Sequence, residues 1–209
     1  MPRSLSSIAV FCGSNFGNSD AYAEGARRLG QALAAAGITM VYGGTMKGLM
    51  GVVADALIDA GGTAHGVITE ALRQRGHTHP NLQRSEIVPT LRARKERMAE
   101  LADAFIAMPG GIGTMEEMME VWTMNQLSEI DKPVGLLNIS EFYQPFLAFI
   151  DRYGGVQIPA ARAQAFHLRR SRSSIADRAA PPFRPHQRAE VAVKAARGLA
   201  TSRRSHASC

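Results

Sequence analysis

The chain has 209 residues, a length that fits one domain with a sizeable core. It carries 24 Lys+Arg against 18 Asp+Glu, but no apolar run long enough to span a membrane and no charged-then-apolar secretory start. The two cysteines, Cys12 and Cys209, lie at opposite ends and make neither a disulfide framework nor a metal pattern, so a cytoplasmic protein is expected.

The net charge of +6 is misleading as an average. Residues 1–152 hold 13 Lys+Arg against 16 Asp+Glu, a net of −3; residues 153–209 hold 11 against 2, a net of +9. The basic excess therefore belongs to the tail, and so does any nucleic-acid reading drawn from charge. The tail lacks the interleaved aromatics of a nucleic-acid binder, so such a partner is not expected.

In chain order, Ile8 to Cys12 is a short apolar run that ends in Gly13-Ser14-Asn15, a first buried strand and its turn. Asp20 is the expected N-cap of an Ala-rich helix that Gly37 stops. Ile38 to Tyr42 is a second strand, with Gly43-Gly44-Thr45 as its turn, and Gly48 to Ala60 is a second helix. His65 to Ile68 is a third strand. Thr69 to Ser85 is polar and reads as a long loop or lid; its His77-x-His79 pair has no third metal ligand at sensible spacing. A short strand at Glu86 to Val88 and a helix from Thr90 to Ala102 follow.

The next stretch is the centre of the chain. Ala104 to Met108 reads as a buried strand, which Pro109 ends. Gly110, Gly111 and Gly113 then leave backbone N–H groups uncovered, and a helix begins at about Thr114. A strand, a glycine loop and a helix N-terminus form an anion cradle, because unpaired N–H groups and the helix dipole both point at the loop. Glu116, Glu117 and Glu120 follow at once. Carboxylates repel a phosphate, so their presence suggests a ligand that also carries or develops positive charge. Acidic residues also favour a first helical turn for dipole reasons alone. Met115, Met119 and Trp122 share a face of this helix and read as core packing. Pro133 to Leu137 is another strand and Phe142 to Ile150 another helix.

Alternating strands and helices with short turns predict a Rossmann-like α/β fold, a doubly wound parallel sheet flanked by helices, over residues 1–152. Three strands end in glycine-bearing turns, and in such a sheet the ligand sits at those carboxyl ends. The turn GSNFGN is not G-x-G-x-x-G, the second strand ends in Tyr-Gly-Gly rather than an acidic residue, and no G-x-x-x-x-G-K-[ST] loop is present. A single phosphate on a small nucleotide fits better than a dinucleotide or a triphosphate.

Five segments carry a family resemblance: VFCGS at 10–14, YGG…GLMG at 42–51, RKERM at 94–98, PGGIGTMEE at 109–117 and KPVGLLN at 132–138. The chain resembles the LOG family, cytokinin riboside 5′-monophosphate phosphoribohydrolases long mislabelled as lysine decarboxylases. The resemblance covers about residues 7–152. It implies homodimers or larger assemblies, no metal or redox cofactor, and a small-molecule nucleoside 5′-monophosphate as substrate. It further implies hydrolysis of the bond between base and ribose to give an adenine-type base and ribose 5-phosphate. Breaking that bond builds positive charge on the ribose, and a carboxylate beside the sugar is favourable only as the charge appears.

The resemblance places Glu116 in the carboxylate role and Arg94 as the catalytic arginine, which either stabilises the departing base or orients Glu116. It places the phosphate on Gly110, Gly111, Gly113 and Thr114. Ser14, Gly43, Gly44, Lys95 and Glu117 complete the expected substrate-binding set, with Lys95 at the phosphate or structural and Glu117 a supporting carboxylate or a dipole-favoured residue. Leu91-Arg92-Ala93 stands where many relatives have Met-His-Glu, and Thr45 where many have a third glycine; with the longer His77–Ser85 loop this indicates a divergent bacterial subgroup. The decarboxylase label lacks a chemical basis here: the body holds only Lys47, Lys95 and Lys132, none in a pyridoxal motif. The rival from another class is a non-catalytic nucleotide or cofactor carrier on the same fold; the Arg94–Glu116 combination favours the enzyme.

After Arg152 the composition changes. All ten methionines precede residue 125, and ten of twenty arginines follow residue 152. Segments with few large apolar residues and high like charge do not offset their ordering entropy. The expectation is that 153–209 is not the family's own C-terminus and is poorly packed. It is either the product of a shifted reading frame or a genuine basic appendage, in which Val191–Leu199 could form a short helix.

Overall fold

The computed structural model describes residues 5–154 and 164–166. Seven parallel strands form one sheet in the order β4-β3-β2-β1-β5-β6-β7. They are β1 (Ser7–Phe11), β2 (Thr39–Tyr42), β3 (Ala64–Thr69), β4 (Arg84–Val88), β5 (Ala104–Ala107), β6 (Val134–Leu137) and β7 (Gln164–Phe166). Helices α1 (Asp20–Ala35), α2 (Gly48–Asp59), α3 (Glu70–Gln74), α4 (Leu91–Leu101), α5 (Ile112–Gln126) and α6 (Gln144–Gly154) make the crossovers and flanks. This is the expected doubly wound α/β architecture.

The alternation of side chains along each strand builds two cores. Ile8, Val10 and Cys12 face α1 and α2, joining Met40, Tyr42, Leu29, Leu33, Val53 and Leu57. Ala9 and Phe11 face the other way, joining Val41, Phe105, Met98, Met118, Trp122 and Tyr143. Every residue of β3 and of β6 is buried, as a central parallel strand requires.

The order of the strands locates the site. The chain runs outward from β1 to β4, then returns to pair β5 with the free side of β1, in register Ile8↔Ala104 through Phe11↔Ala107. Beyond the carboxyl ends of β1 and β5 the two connections part in opposite directions and leave a crevice. The two loops touch across it: Gly13 donates its N–H to the Pro109 carbonyl at 3.1 Å. The start of α2 closes in from the side, with Leu49 N–H donated to the Gly13 carbonyl at 3.0 Å.

Several local expectations need correction. The N-cap of α1 is Ser19, whose side chain accepts from Ala21 N–H; Asp20 is the first helical residue, where its charge suits the dipole. The segment 69–85 is not a free loop. It holds α3, a strand that begins at Arg84, and an isolated bridge between Thr45 and Thr78, with His79 buried. Helix α5 begins at Ile112, so Gly113 and Thr114 lie inside its first turn. Its buried face is Thr114, Met118, Val121 and Trp122, while Met119 is exposed.

The expectation for residues 153–209 falls mostly outside the described residues. Within them, β7 continues the sheet, with Gly135↔Gln164 through Leu137↔Phe166 in parallel register.

Candidate active site

The glycine loop after β5 is shaped by contact. A Cβ at Gly110 would lie 2.2 Å from the Thr114 hydroxyl oxygen and 2.9 Å from Gly13 N, so only glycine permits the loop to fold onto its own helix. Thr114 is buried against that loop. Gly111 is the N-cap of α5, in extended conformation and without a side chain to cap the helix. A Cβ at Gly111 or Gly113 would meet nothing within 4 Å, and Ile112 is exposed. The first-turn N–H groups of a 15-residue helix therefore lie beside open space at the switch point, the arrangement that suits an anion. Ser14 is exposed on the facing loop, and its backbone packs against the start of α2 at Gly48.

Arg94 enters the same crevice from α4. Its Nε donates to the Val67 carbonyl at 3.0 Å, and its Nη1 reaches Glu117 Oε1 at 3.4 Å. The guanidinium lies against the second glycine turn: a Cβ at Gly43 would lie 1.8 Å from Nη2. Gly44 takes a left-handed φ of 70°, which returns the chain toward α2. Arg94 and Glu117 are both nearly enclosed, with side-chain exposures of 11% and 14%. Burial pushes the Glu117 carboxyl above the ordinary carboxylate range; the Arg94 charge opposes that rise, and the Glu116 charge adds to it. Burial likewise pushes the Cys12 thiol far up, with the Glu117 charge contributing, so Cys12 is an inert core residue at the end of β1.

Glu116 lies on the other side of α5. Its carboxylate is 54% exposed and pairs closely with Lys95, which also bonds Glu120 at 3.0 Å. Burial works against the Lys95 charge, but the two carboxylates outweigh it and hold the ammonium above its ordinary value. Glu116 and Glu120 border a shallow groove with Met119, Thr123, Met124 and Leu127. The structure thus brings together Arg94, Glu117, Gly43 and Gly44, and sets Gly110, Gly111, Gly113 and Thr114 beside Gly13. It puts Lys95 and Glu116 on the outer seam between α4 and α5.

Sequence reasoning passed over Tyr143 and left His79 in a loop, and both are structural supports. Tyr143 donates its hydroxyl to the Met108 carbonyl at 2.6 Å and its N–H to Asn138 Oδ1 at 2.7 Å, tying the end of β5 to β6 just before the glycine loop. His79 is buried and bonds Asp55. Neither pair is close in sequence, and no local pattern signals such a contact. Among the described residues, no group of three or more His, Cys, Asp or Glu side chains is placed to hold a metal ion.

A family model described as "possible lysine decarboxylase" matches residues 50–178. The matched span runs past Arg152, so the resemblance does not stop where the change of composition suggested. The chain is 40% identical over 173 residues to a cytokinin riboside 5′-monophosphate phosphoribohydrolase of Rhodococcoides fascians, covering 81% of this chain and 87% of that protein. Two rice proteins of that name, one of them named as probable, are 48% and 47% identical over 144 and 145 residues. Each match covers 69% of this chain, which spans only 60% and 65% of their respective lengths. Among solved structures, a molybdenum cofactor binding protein of Rippkaea orientalis superposes with a TM-score of 0.58 at 23% identity, covering 71% of this chain and 86% of that one. A molybdenum cofactor carrier protein of Chlamydomonas reinhardtii gives 0.58 at 20% identity, covering 78% and 89%. At that identity the likeness concerns the fold.

Proposed function

The chain belongs to the LOG family, and from that premise we propose that it hydrolyses the N-glycosidic bond of a nucleoside 5′-monophosphate with an adenine-type base. The observation that carries this reading is the Arg94–Glu117 pair, enclosed at the switch point next to the uncovered start of α5. The 5′-phosphate lies on the N–H groups of Gly111, Ile112, Gly113 and Thr114, which places the ribose toward the pair. As the C1′–N bond breaks, its electron pair leaves with the base and positive charge gathers on the ribose. The ionised Glu117 carboxylate, held by Arg94, lowers the energy of that state more than of the bound substrate. Water then adds its oxygen to C1′, one proton goes to the departing base, and the products are free base and ribose 5-phosphate.

In this reading Glu117, rather than Glu116, is the working carboxylate. Glu117 is enclosed with an arginine, where a fixed charge is worth most; Glu116 is half in water and engaged by Lys95. The Rhodococcoides and rice relatives are named for this activity. A homodimer in the cytoplasm belongs to the same proposal, with the Met119, Met124 and Leu127 groove on α5 as the face a second copy covers.

Incubating the protein with AMP, with isopentenyladenosine 5′-monophosphate and with adenosine tests the reading. Free base and ribose 5-phosphate are expected from the nucleotides, and adenosine should be a much poorer substrate, because cradle energy is used only when the phosphate is present. Equal rates on adenosine and AMP would contradict it. Tight binding of AMP without turnover would favour a carrier.

A further inference from the structure

The His77-x-His79 pair has no part in the site described above, yet His79 is almost fully enclosed. Its Nδ1 accepts the Asn81 N–H at 3.2 Å, so the ring proton sits on Nε2. That proton faces Asp55 Oδ1 at 3.0 Å, on the exposed side of α2. The ring therefore spans from the 77–81 segment to α2, with both nitrogens engaged.

The backbone of the same segment holds the second glycine turn. His79 donates its N–H to the Gly44 carbonyl at 2.9 Å, Met46 donates its N–H to the His77 carbonyl at 3.2 Å, and Thr45 bridges Thr78. Gly43, one residue before this clamp, is the surface against which the Arg94 guanidinium lies. A continuous set of contacts thus runs from Asp55 through His79 and Gly44 to Gly43 and Arg94.

We propose that Asp55 and His79 are positioning residues: they fix the Gly43–Met46 turn as the wall that aims Arg94 at Glu117. The inference rests on Arg94 as a working residue of the proposed hydrolase. Neither Asp55 nor His79 touches the substrate. The bond from His79 replaces what would otherwise be a mobile turn beside a charge that must be in place before the bond breaks.

The test compares Asp55→Ala and Asp55→Asn with the parent in two measurements. Asp55 is 62% exposed, so both variants should fold. The first measurement is amide hydrogen exchange at Met46 and His79. Exchange should quicken about tenfold or more in Asp55→Ala and stay near the parent rate in Asp55→Asn, whose amide oxygen accepts the same bond. The second is turnover of AMP: kcat should fall about tenfold in Asp55→Ala with KM within about twofold, and Asp55→Asn should recover most of it. Unchanged exchange at these amides in Asp55→Ala would overturn the clamp. So would parent-like kcat despite faster exchange, or an Asp55→Asn variant as impaired as Asp55→Ala. A parent protein that releases no base would sink the hydrolase reading alone, and the exchange rates would still decide the clamp.

Discussion

Arg94 on α4 and Glu117 on α5 meet at 3.4 Å although they lie 23 positions apart in the chain, and both are nearly closed off from solvent. The Glu117 carboxyl is raised above its ordinary 4.5, first by burial. The folded protein holds this proton more tightly than the unfolded chain does. Its contribution to stability is therefore full below 4.5 and is lost as pH rises through the folded value, so the ionised state is kept at a cost. If the ionised form is the working form, kcat/KM for AMP, which reports the free enzyme, falls on acidification with a midpoint above 4.5. A kcat/KM profile flat down to pH 4 would contradict that assignment.

Gly43 is the position where a single carbon should matter most. A Cβ there would lie 1.8 Å from Arg94 Nη2 and 2.9 Å from Cζ, so Gly43→Ala must displace the guanidinium. The guanidinium is the far end of a flexible side chain and can shift at little cost in stability, but a displacement of about 1 Å in a catalytic group lowers turnover by about a hundredfold. The expected outcome is a folded protein with kcat for AMP reduced by one to two orders of magnitude. Turnover within twofold of the parent would show that Arg94 does not depend on this wall.

Much of the fold was legible because β1, β2 and β5 are short apolar runs followed within two residues by glycine or proline, and α1, α2, α4 and α5 have helical spacing, whereas the exposed β4 and the short α3 carry no such signal. The glycine cradle was legible for the same reason. The enclosure of Glu117 and the exposure of Glu116 were also within reach. Thr114 closes the cradle, and Glu117 lies three residues on, beside the buried stripe of Thr114, Met118 and Val121. Glu116 falls with Glu120 on the outer side, one turn apart. Reading Met115 and Met119 with Trp122 as the packed face hid that phase, since Met119 is exposed while Thr114, Met118 and Val121 are buried with Trp122. The enclosure of His79 was not legible, because its partners Asp55 and Gly44 are brought to it by a sheet crossover, not by local spacing.

At the opposite end of the sheet, Asp103 ties β1 to β5. One carboxylate oxygen accepts the Ser6 hydroxyl at 2.7 Å and the Ser6 and Ser7 N–H groups at 2.8 and 3.0 Å. Burial alone would raise its pKa, but these donors together lower it below the ordinary 3.8. The stabilisation is present above 3.8 and is lost as pH falls through the depressed folded value. Asp103→Ala should cost about 0.5–1.5 kcal/mol at neutral pH, the net scale of an intramolecular hydrogen bond whose donors water can reach. Denaturant unfolding checks this; a change below about 0.5 kcal/mol, the scale of a featureless surface site, would contradict it.

The most direct test of the central claim is turnover of AMP by Glu117→Gln and Glu116→Gln beside the parent, with AMP affinity measured on the same samples. Glu117→Gln should lose about two orders of magnitude or more in kcat while still binding AMP, the scale for removing a preorganised charge. Glu116→Gln should stay within a fewfold of the parent. A Glu117→Gln variant that turns over normally while Glu116→Gln is silent would contradict the assignment and return the role to the carboxylate beside Lys95.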